Sequence, residues 1–221
     1  MICGVAALLI SCAAGQPGGP PTGRESASRP EWRAGDRWVY SWTAGDQRGS
    51  KVVDVAQLRD VGGARYYVVS TAMLQHYYTL DLQWAWAVNP ADSKVIARAV
   101  PAQPHFVWPL EVGKSWGHRG VFEDQASRET LNETYRVVAF EQVEIPAGSF
   151  RAFRILRDAG SQGSDEYWYA PEVHWYVKWI GRRGKAEFQE LLQEYAPTPG
   201  GGTSAPSAET PVRPGASRPR P

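Results

Sequence analysis

The sequence predicts a mainly β domain, in which an antiparallel meander forms a curved sheet or an open β-barrel with few or no helices. Three observations support this prediction. Aromatic residues, which suit a pleated and half-buried surface, are abundant, with ten Trp and ten Tyr in 221 residues. Apolar and polar residues alternate with a period of two, as at Trp38, Tyr40 and Trp42. Clusters of Gly, Pro and Asn separate the alternating runs.

The alternating runs define the expected strands. They lie near 36–43, 50–60, 64–73, 75–88, 94–100, 115–124, 128–145, 150–158, 164–170, 173–180 and 185–195. In the last run, Phe188, Leu191, Leu192 and Tyr195 also fall at helical spacing, so a short C-terminal helix is the alternative there. We prefer a strand, because the last two runs flank a Gly-x-x-Gly turn and would pair as a hairpin.

The turns are predicted to be structural. Gly62-Gly63 can supply the positive φ of a tight hairpin. Between the runs at 128–145 and 150–158, Pro146 fixes φ and Gly148 permits a tight reversal. Phe150 then begins the next strand by covering the core. None of these side chains is a nucleophile, an acid or a base.

The N-terminus is typical of an export signal. Residues 2–10 are apolar apart from Gly4, and this run is too short to span a bilayer as a helix, which needs about 20 residues. The run ends in Leu9-Ile10-Ser11-Cys12, which resembles the lipobox of bacterial lipoproteins. The resemblance implies that Cys12 is acylated and becomes the mature N-terminus. An ordinary signal that is cut near Ala13 or Ala14 is the alternative, and no Lys or Arg precedes Cys12.

These features divide the chain into four parts. They are a lipoprotein signal segment at 1–11, a flexible tether at 12–31, a β-rich globular domain at 32–196 and a disordered Pro/Gly-rich tail at 197–221. We expect the protein in the cell envelope, anchored to the membrane through the N-terminal lipid. Ala13 after the Cys resembles the sorting signal of outer-membrane lipoproteins. In a bacterium with two membranes, this resemblance implies that the domain lies at the outer membrane and faces the periplasm.

Composition and motifs argue against several classes of function. With 24 basic and 23 acidic residues the net charge is +1, so we expect no nucleic-acid partner. Cys3 and Cys12 both precede the domain, which therefore has no disulfide and no Cys nucleophile. No Gly-x-Ser-x-Gly elbow, phosphate-binding loop or His-Glu-x-x-His motif occurs. A β-fold could bring His118 and His174 to one metal, but we expect ordinary imidazoles. We predict no enzyme, no catalytic residue, no metal and no cofactor.

A family resemblance covers roughly residues 100–195. Residues Val143–Ile155 resemble the V-x-[VI]-P-A-G-x-F motif, followed by a short aliphatic strand, of uncharacterised exported bacterial proteins. The segments Leu110–Trp116 and Tyr167–Val173 are similar to that family as well, whereas His174–Lys178 is bulkier than the usual family pattern. The resemblance implies a curved sheet or open barrel, similar in outline to bacterial carriers of lipid and lipoprotein.

The Trp content is the one positive indication of function. We expect most of the rings in the core and a minority in an apolar groove, for which the candidates are Trp84, Trp86, Trp168 and Trp175. The sequence thus predicts a non-catalytic binding module for an apolar ligand or lipid. The alternative is a structural or assembly lipoprotein that binds another envelope protein. A large internal cavity would favour the first, and a filled core with a flat exposed apolar patch the second.

The lipid anchor gives the first testable prediction. Cys12→Ala removes the thiol to which the acyl chains attach, so the protein should move from the membrane fraction to the soluble fraction. Membrane fractionation followed by immunoblotting measures this, with Cys3→Ala as the control that should stay in the membrane. Unchanged membrane association of Cys12→Ala would contradict the lipobox assignment.

Overall fold

A computed structural model describes residues 25–198, and Cys12 and the signal segment lie outside this range. The described residues form fourteen strands and one short 3-10 turn, with no α-helix among them. The strands are β1 (Ser26–Ala27), β2 (Arg37–Ala44), β3 (Gln47–Val61), β4 (Ala64–Ser70), β5 (Gln75–Thr79), β6 (Trp84–Val88), β7 (Val95–Gln103), β8 (Leu110–Glu111), β9 (Ser115–Asp124), β10 (Arg128–Ile145), β11 (Gly148–Asp158), β12 (Ser164–Ala170), β13 (Trp175–Arg183) and β14 (Ala186–Ala196). No helix in this range is long and apolar enough to cross a bilayer.

Twelve of the strands close into an antiparallel barrel, which confirms the predicted β class and shows that the barrel is closed. The order is β10-β11-β12-β13-β14-β2-β3-β4-β5-β6-β7-β9, and β9 pairs with β10 to complete the ring. Closure depends on two pairings between strands that no hairpin connects. The first and last barrel strands, β2 and β14, pair along their length, and β7 pairs with β9 across an intervening segment. Each barrel strand therefore has two neighbours.

Most strand predictions are confirmed, and one is wrong. The run at 75–88 is two strands, because residues 80–83 reverse the chain and Leu82 adopts a φ of 62°. The segment at 185–195 is a strand that pairs with both β13 and β2, so the helical alternative is ruled out. The tether predicted at 12–31 is described only from Glu25 onward. There Ala27 is buried in β1, which pairs with β8, and Glu25 pairs with Arg151.

The two ends of the barrel differ. Successive hairpins alternate between the ends, so the β2–β3, β4–β5 and β13–β14 turns share one end, which we call the mouth. The opposite end, which we call the floor, is covered by the segments 25–36 and 104–114. Trp32 packs there against Trp38, Tyr67 and Trp175, and its indole N–H donates to the His174 carbonyl at 3.0 Å. From the other segment, Phe106 is only 1% exposed.

The Pro146-Ala147 turn joins β10 to β11 at the floor. Ile145 pairs with Gly148, which has a φ of +134°, a conformation that side-chain-bearing residues rarely adopt. Phe150 is 5% exposed and packs edge-on against Tyr195, with ring centroids 5.9 Å apart. The turn therefore serves to reverse the chain and to bring a large apolar side chain into the core.

Substitutions in this turn give a stability prediction. Gly148→Val should lower the free energy of unfolding by about 1–3 kcal/mol through backbone strain. Phe150→Ala should lower it by about 3–5 kcal/mol, because it leaves a cavity in the core. Urea unfolding measures both changes. Wild-type stability in either variant, combined with loss of the protein's cellular role, would instead identify the turn as a recognition site.

Candidate functional site

The barrel contains a cavity of about 590 Å³ near the mouth. The β4–β5 turn borders it, and Met73 in that turn is 79% exposed. Most of the lining is apolar, with indole rings, aliphatic chains and one ring from the floor segment: Trp42, Val53, Val69, Phe106, Trp175 and Trp179. The alternation of β2, β3, β4 and β13 accounts for this lining, because every second side chain of a barrel strand points inward.

Two of the indoles lie flat along the wall because glycines lie beneath them. A Cβ atom added at Gly49 would come within 2.6 Å of the Trp42 ring, and one added at Gly181 within 2.5 Å of the Trp179 ring. Each ring therefore occupies space that a side chain would otherwise fill. This arrangement keeps both rings against the wall and leaves the lumen between them open.

One ion pair faces the cavity. Lys51 pairs with Glu190, whose side chain is only 12% exposed, and also donates to the Tyr176 hydroxyl at 3.1 Å. That hydroxyl in turn donates to Glu190 Oε2 at 2.6 Å. The Tyr176 ring stacks on Tyr40 at 4.9 Å. Burial, and then the negative charge of Glu190, raises the pKa of Tyr176 well above its usual value. The three polar groups thus satisfy one another.

Two histidines that line the cavity are neutral at pH 7. Burial lowers the pKa of His76 to about 4, with a further contribution from Lys51. Burial likewise lowers the pKa of His105 to about 4, with help from Arg157. The Nδ1 atom of His76 accepts a hydrogen bond from the Trp84 indole at 3.2 Å, and the His105 ring stacks on Tyr167 at 5.7 Å.

A second cavity, of about 560 Å³, shares His105, Tyr167 and Trp179 with the first and is bordered by Arg157 and Arg183. A depression of about 1150 Å³ lies across β9 to β13. Four of the charged side chains that border this depression form two ion pairs, Arg182 with Glu166 and Arg157 with Asp165. Neither space is as apolar as the first cavity.

Next to these spaces lies a buried charge cluster centred on Glu133, which is 1% exposed. Its Oε1 atom accepts from Gln103 at 2.7 Å and from Arg157 Nε at 3.0 Å. Its Oε2 atom accepts from the Tyr135 hydroxyl at 2.8 Å and lies 3.1 Å from His118 Nδ1. Burial alone would raise the pKa of Glu133, but the hydrogen bonds from His118 and Arg157 outweigh it and hold that pKa well below its usual range.

Arg157 links this carboxylate to a second one. It pairs with Asp165, which is 2% exposed. Asp165 also accepts from the Trp179 indole at 3.1 Å and pairs with Arg183 at 3.0 Å. As expected from strand alternation, the neighbouring Glu166 faces the other side of the sheet, where it pairs with Arg154 and Arg182.

The four tryptophans that the sequence analysis predicts as groove residues do not lie in one place in the structure. Trp175 lines the cavity. Trp84 lies in the inner wall beside His76. Trp86 stacks on Tyr77 on the outer face, in a separate apolar cluster. Trp168 also faces outward, where Lys178 lies 4.4 Å from its ring and its indole N–H donates to Glu141 at 2.8 Å.

Sequence reasoning missed several lining residues. Trp42 belongs to the alternating run Trp38-Tyr40-Trp42, which could have placed it on the inner face. Lys51 and Glu190 carry no local signal, because only the closure of β14 onto β2 and β3 brings them together. Pro146, Gly148 and Phe150 lie at the floor, at the opposite end of the barrel from the mouth.

No family model and no curated protein matches the sequence. Three solved structures are similar to this chain. One is described as a lipoprotein from Parabacteroides distasonis, with 12% identity, a TM-score of 0.39 and coverage of 78% of this chain and 100% of that one. Another is described as an exported protein with a YmcC-like fold from Bacteroides fragilis, with 13% identity, a TM-score of 0.41 and coverage of 77% and 99%. The third is the hypothetical lipoprotein YmcC from Escherichia coli, with 8% identity, a TM-score of 0.39 and coverage of 73% and 85%. Likenesses at this level carry no inference about a ligand or partner.

The buried cluster gives a stability prediction. Glu133→Gln should lower the free energy of unfolding by about 3–5 kcal/mol, because Arg157 then loses one of its buried partners. The control is Glu187→Gln, which breaks an exposed pair with Arg182 and should cost less than about 1 kcal/mol. Urea unfolding compares the two variants. Equal losses would show that the buried cluster contributes no more than a surface ion pair.

Proposed function

We propose that this protein is a non-catalytic, lipid-anchored protein of the cell envelope, whose barrel binds an apolar ligand. The observation that carries the proposal is the cavity of about 590 Å³ at the mouth, with its lining of indole rings and aliphatic side chains. Ligand sites in proteins are commonly concave, mostly apolar and about 300–1,000 Å³ in volume. A filled core would instead have favoured a purely structural protein.

The chemistry of the lining supports binding over catalysis. The Lys51–Glu190 pair is internally neutralised, and His76 and His105 have pKa values of about 4. At neutral pH these imidazoles would be poor general acids, because very little of either is protonated. Transfer of an apolar ligand from water to such a lining is favourable by roughly 25 cal/mol for each Å² removed from solvent.

The sequence supports the location. The lipobox-like Leu9-Ile10-Ser11-Cys12 would anchor the protein through acyl chains on Cys12. Between Cys12 and β1, residues 13–25 would join the anchor to the folded barrel. In a bacterium with two membranes, Ala13 favours the outer membrane, with the barrel in the periplasm. A ligand site there would receive lipids or other apolar compounds of the envelope.

The remaining candidate function is assembly with another envelope protein. Native mass spectrometry of the membrane-extracted protein distinguishes it from ligand binding. A co-purifying small molecule supports the proposal, whereas a stoichiometric protein partner with no small molecule supports assembly.

Occluding the cavity is the direct test. Val53 and Val69 are buried and line the cavity, so Val53→Phe and Val69→Phe should each extend a ring into the empty space. The full chain carrying Cys12→Ala, which needs no detergent, would be titrated with the neutral fluorophore N-phenylnaphthylamine. We expect each substitution to weaken binding at least tenfold while the thermal midpoint is retained.

Val95→Phe is the matched control. Val95 is 48% exposed at the start of β7, outside the cavity, so the same substitution there should leave the affinity unchanged. Equal affinity in all the variants, or no binding by the wild-type barrel, would refute the proposed function.

A further inference from the structure

The first and second cavities of the barrel are neighbours. Three residues with ring side chains, His105, Tyr167 and Trp179, line both of them. The first cavity is bordered by the β4–β5 turn at the mouth, and the second by Ser161 and Gln162 in the β11–β12 turn at the same end. Their volumes, about 590 and about 560 Å³, both lie in the range of about 300–1,000 Å³ that is usual for ligand sites. One ligand with two unlike parts can occupy both by extending past the shared rings.

The shared rings form an uncharged border between the two cavities. The Trp179 ring lies against the wall above Gly181, and its indole N–H donates to Asp165 at 3.1 Å. The His105 ring stacks on Tyr167 with the centroids 5.7 Å apart. Burial lowers the pKa of His105 to about 4, so this ring is neutral at pH 7. An apolar chain can therefore cross this border without meeting a charge on these rings.

The second cavity differs from the first because polar side chains form much of its lining. They include two guanidinium groups, two carboxylates and one amide, from Arg157, Arg183, Asp165, Glu129 and Gln162. Guanidinium groups donate hydrogen bonds, ionised carboxylates accept them, and an amide does both. A hydroxyl group also donates and accepts, so it can bind to either kind of partner. A head group with several hydroxyls matches this mixed lining.

The charges in the second cavity are largely balanced. Asp165, which is 2% exposed, pairs with both Arg157 and Arg183. Arg157 also pairs with Glu133. Glu129 is exposed at the edge of the cavity, where solvent weakens its attraction for a cation. An anionic head group would have to compete with these carboxylates for the guanidinium groups, and a cationic one would meet those same guanidinium groups. The lining therefore favours an uncharged head group.

We propose that the two cavities bind one amphipathic lipid, with its alkyl or acyl chain in the first cavity and an uncharged, hydroxyl-bearing head group of the glycoside class in the second. The proposal rests on the proposed function and specifies its ligand. It requires no covalent step. The first cavity supplies affinity for the chain, and the second selects among head groups.

Competition for bound N-phenylnaphthylamine tests the class of head group. The competitors are decyl β-glucoside, decanol, decyl phosphate and decyltrimethylammonium, which share a chain and differ in the head. They are added to the full chain carrying Cys12→Ala, below the concentrations at which they form micelles. The glucoside should bind at least tenfold more tightly than each of the other three.

Filling the second cavity tests where the head group lies. Leu131 is 5% exposed and lines this cavity, so Leu131→Trp should extend a ring into it. We expect the glucoside to lose its advantage over decanol, while decanol keeps its wild-type affinity. Leu58→Trp is the matched control, because Leu58 is 48% exposed and lines neither cavity. The thermal midpoint of each variant reports whether it folds.

A double variant at the exposed edge tests the same point without adding bulk to the barrel. Gln162 donates to Glu129 at 2.8 Å, and both side chains line the second cavity. Glu129→Ala combined with Gln162→Ala removes these polar groups and should reduce the advantage of the glucoside at least threefold. Glu187→Ala, on β14 outside both cavities, should leave the advantage intact.

Occluding the first cavity tests whether one molecule spans both. Val69→Phe should weaken the glucoside and decanol alike, because both depend on the same site for the chain. If this substitution weakens decanol and leaves the glucoside unchanged, the chain and the head group have separate sites, and the proposal is overturned.

The outcomes separate this proposal from the proposed function. If the fluorophore binds and the four competitors displace it equally, or a charged competitor binds most tightly, the glycoside assignment is overturned and the apolar-ligand function stands. A folded Leu131→Trp variant that keeps the full glucoside advantage would also overturn it. If neither the fluorophore nor any competitor binds, the proposed function itself fails.

Discussion

Twelve strands enclose more space than strand side chains alone can fill, and this constraint governs the rest of the structure. A barrel of about eight strands is just wide enough for its inward side chains to pack together, and the diameter grows with strand number. The additional lumen here is filled in three ways. Large aromatic rings point inward, two chain segments with Trp32 and Phe106 cover the floor, and a charge cluster centred on Glu133 spans one wall. The space that remains includes the cavity at the mouth and the second cavity beside it.

The charge cluster is suited to such a wide interior. Replacing buried ion pairs by well-packed apolar residues is often neutral for stability, so their presence alone is no evidence of stabilisation. Geometry makes this cluster useful, because the Glu133 carboxylate accepts hydrogen bonds from side chains on β7, β10 and β11 and contacts His118 on β9. One short-range network thereby fixes the register of four neighbouring strands relative to one another. Apolar side chains of similar length would fill the space without specifying this register.

The positions of the strands could be predicted from the sequence, but the faces of several side chains could not. Alternation correctly places Trp175 and Val177 together on the inner side, since both are buried in the main core. It fails for Trp84 and Trp86, which are two residues apart and should share a face. An irregularity in the pairing with β5 matches Trp84 with Tyr78 and Trp86 with Tyr77, so the two rings point to opposite sides. Bulges of this kind depend on the partner strand, which local sequence does not identify. The same limit applies to Lys51 and Glu190, which closure alone brings together.

The two glycines under the cavity tryptophans indicate that the open lumen is built into the fold. Glycine within a strand costs roughly 0.5–1 kcal/mol relative to alanine, because it loses more conformational freedom on folding. Gly49 and Gly181 both lie within strands, and the Cβ of an alanine at either position would collide with an indole ring. Relieving that collision would push Trp42 or Trp179 off the wall and into the cavity, where the ring would bury more apolar surface. Under the proposed function the glycines have a further role, because indole rings held against the wall leave the cavity free for a ligand.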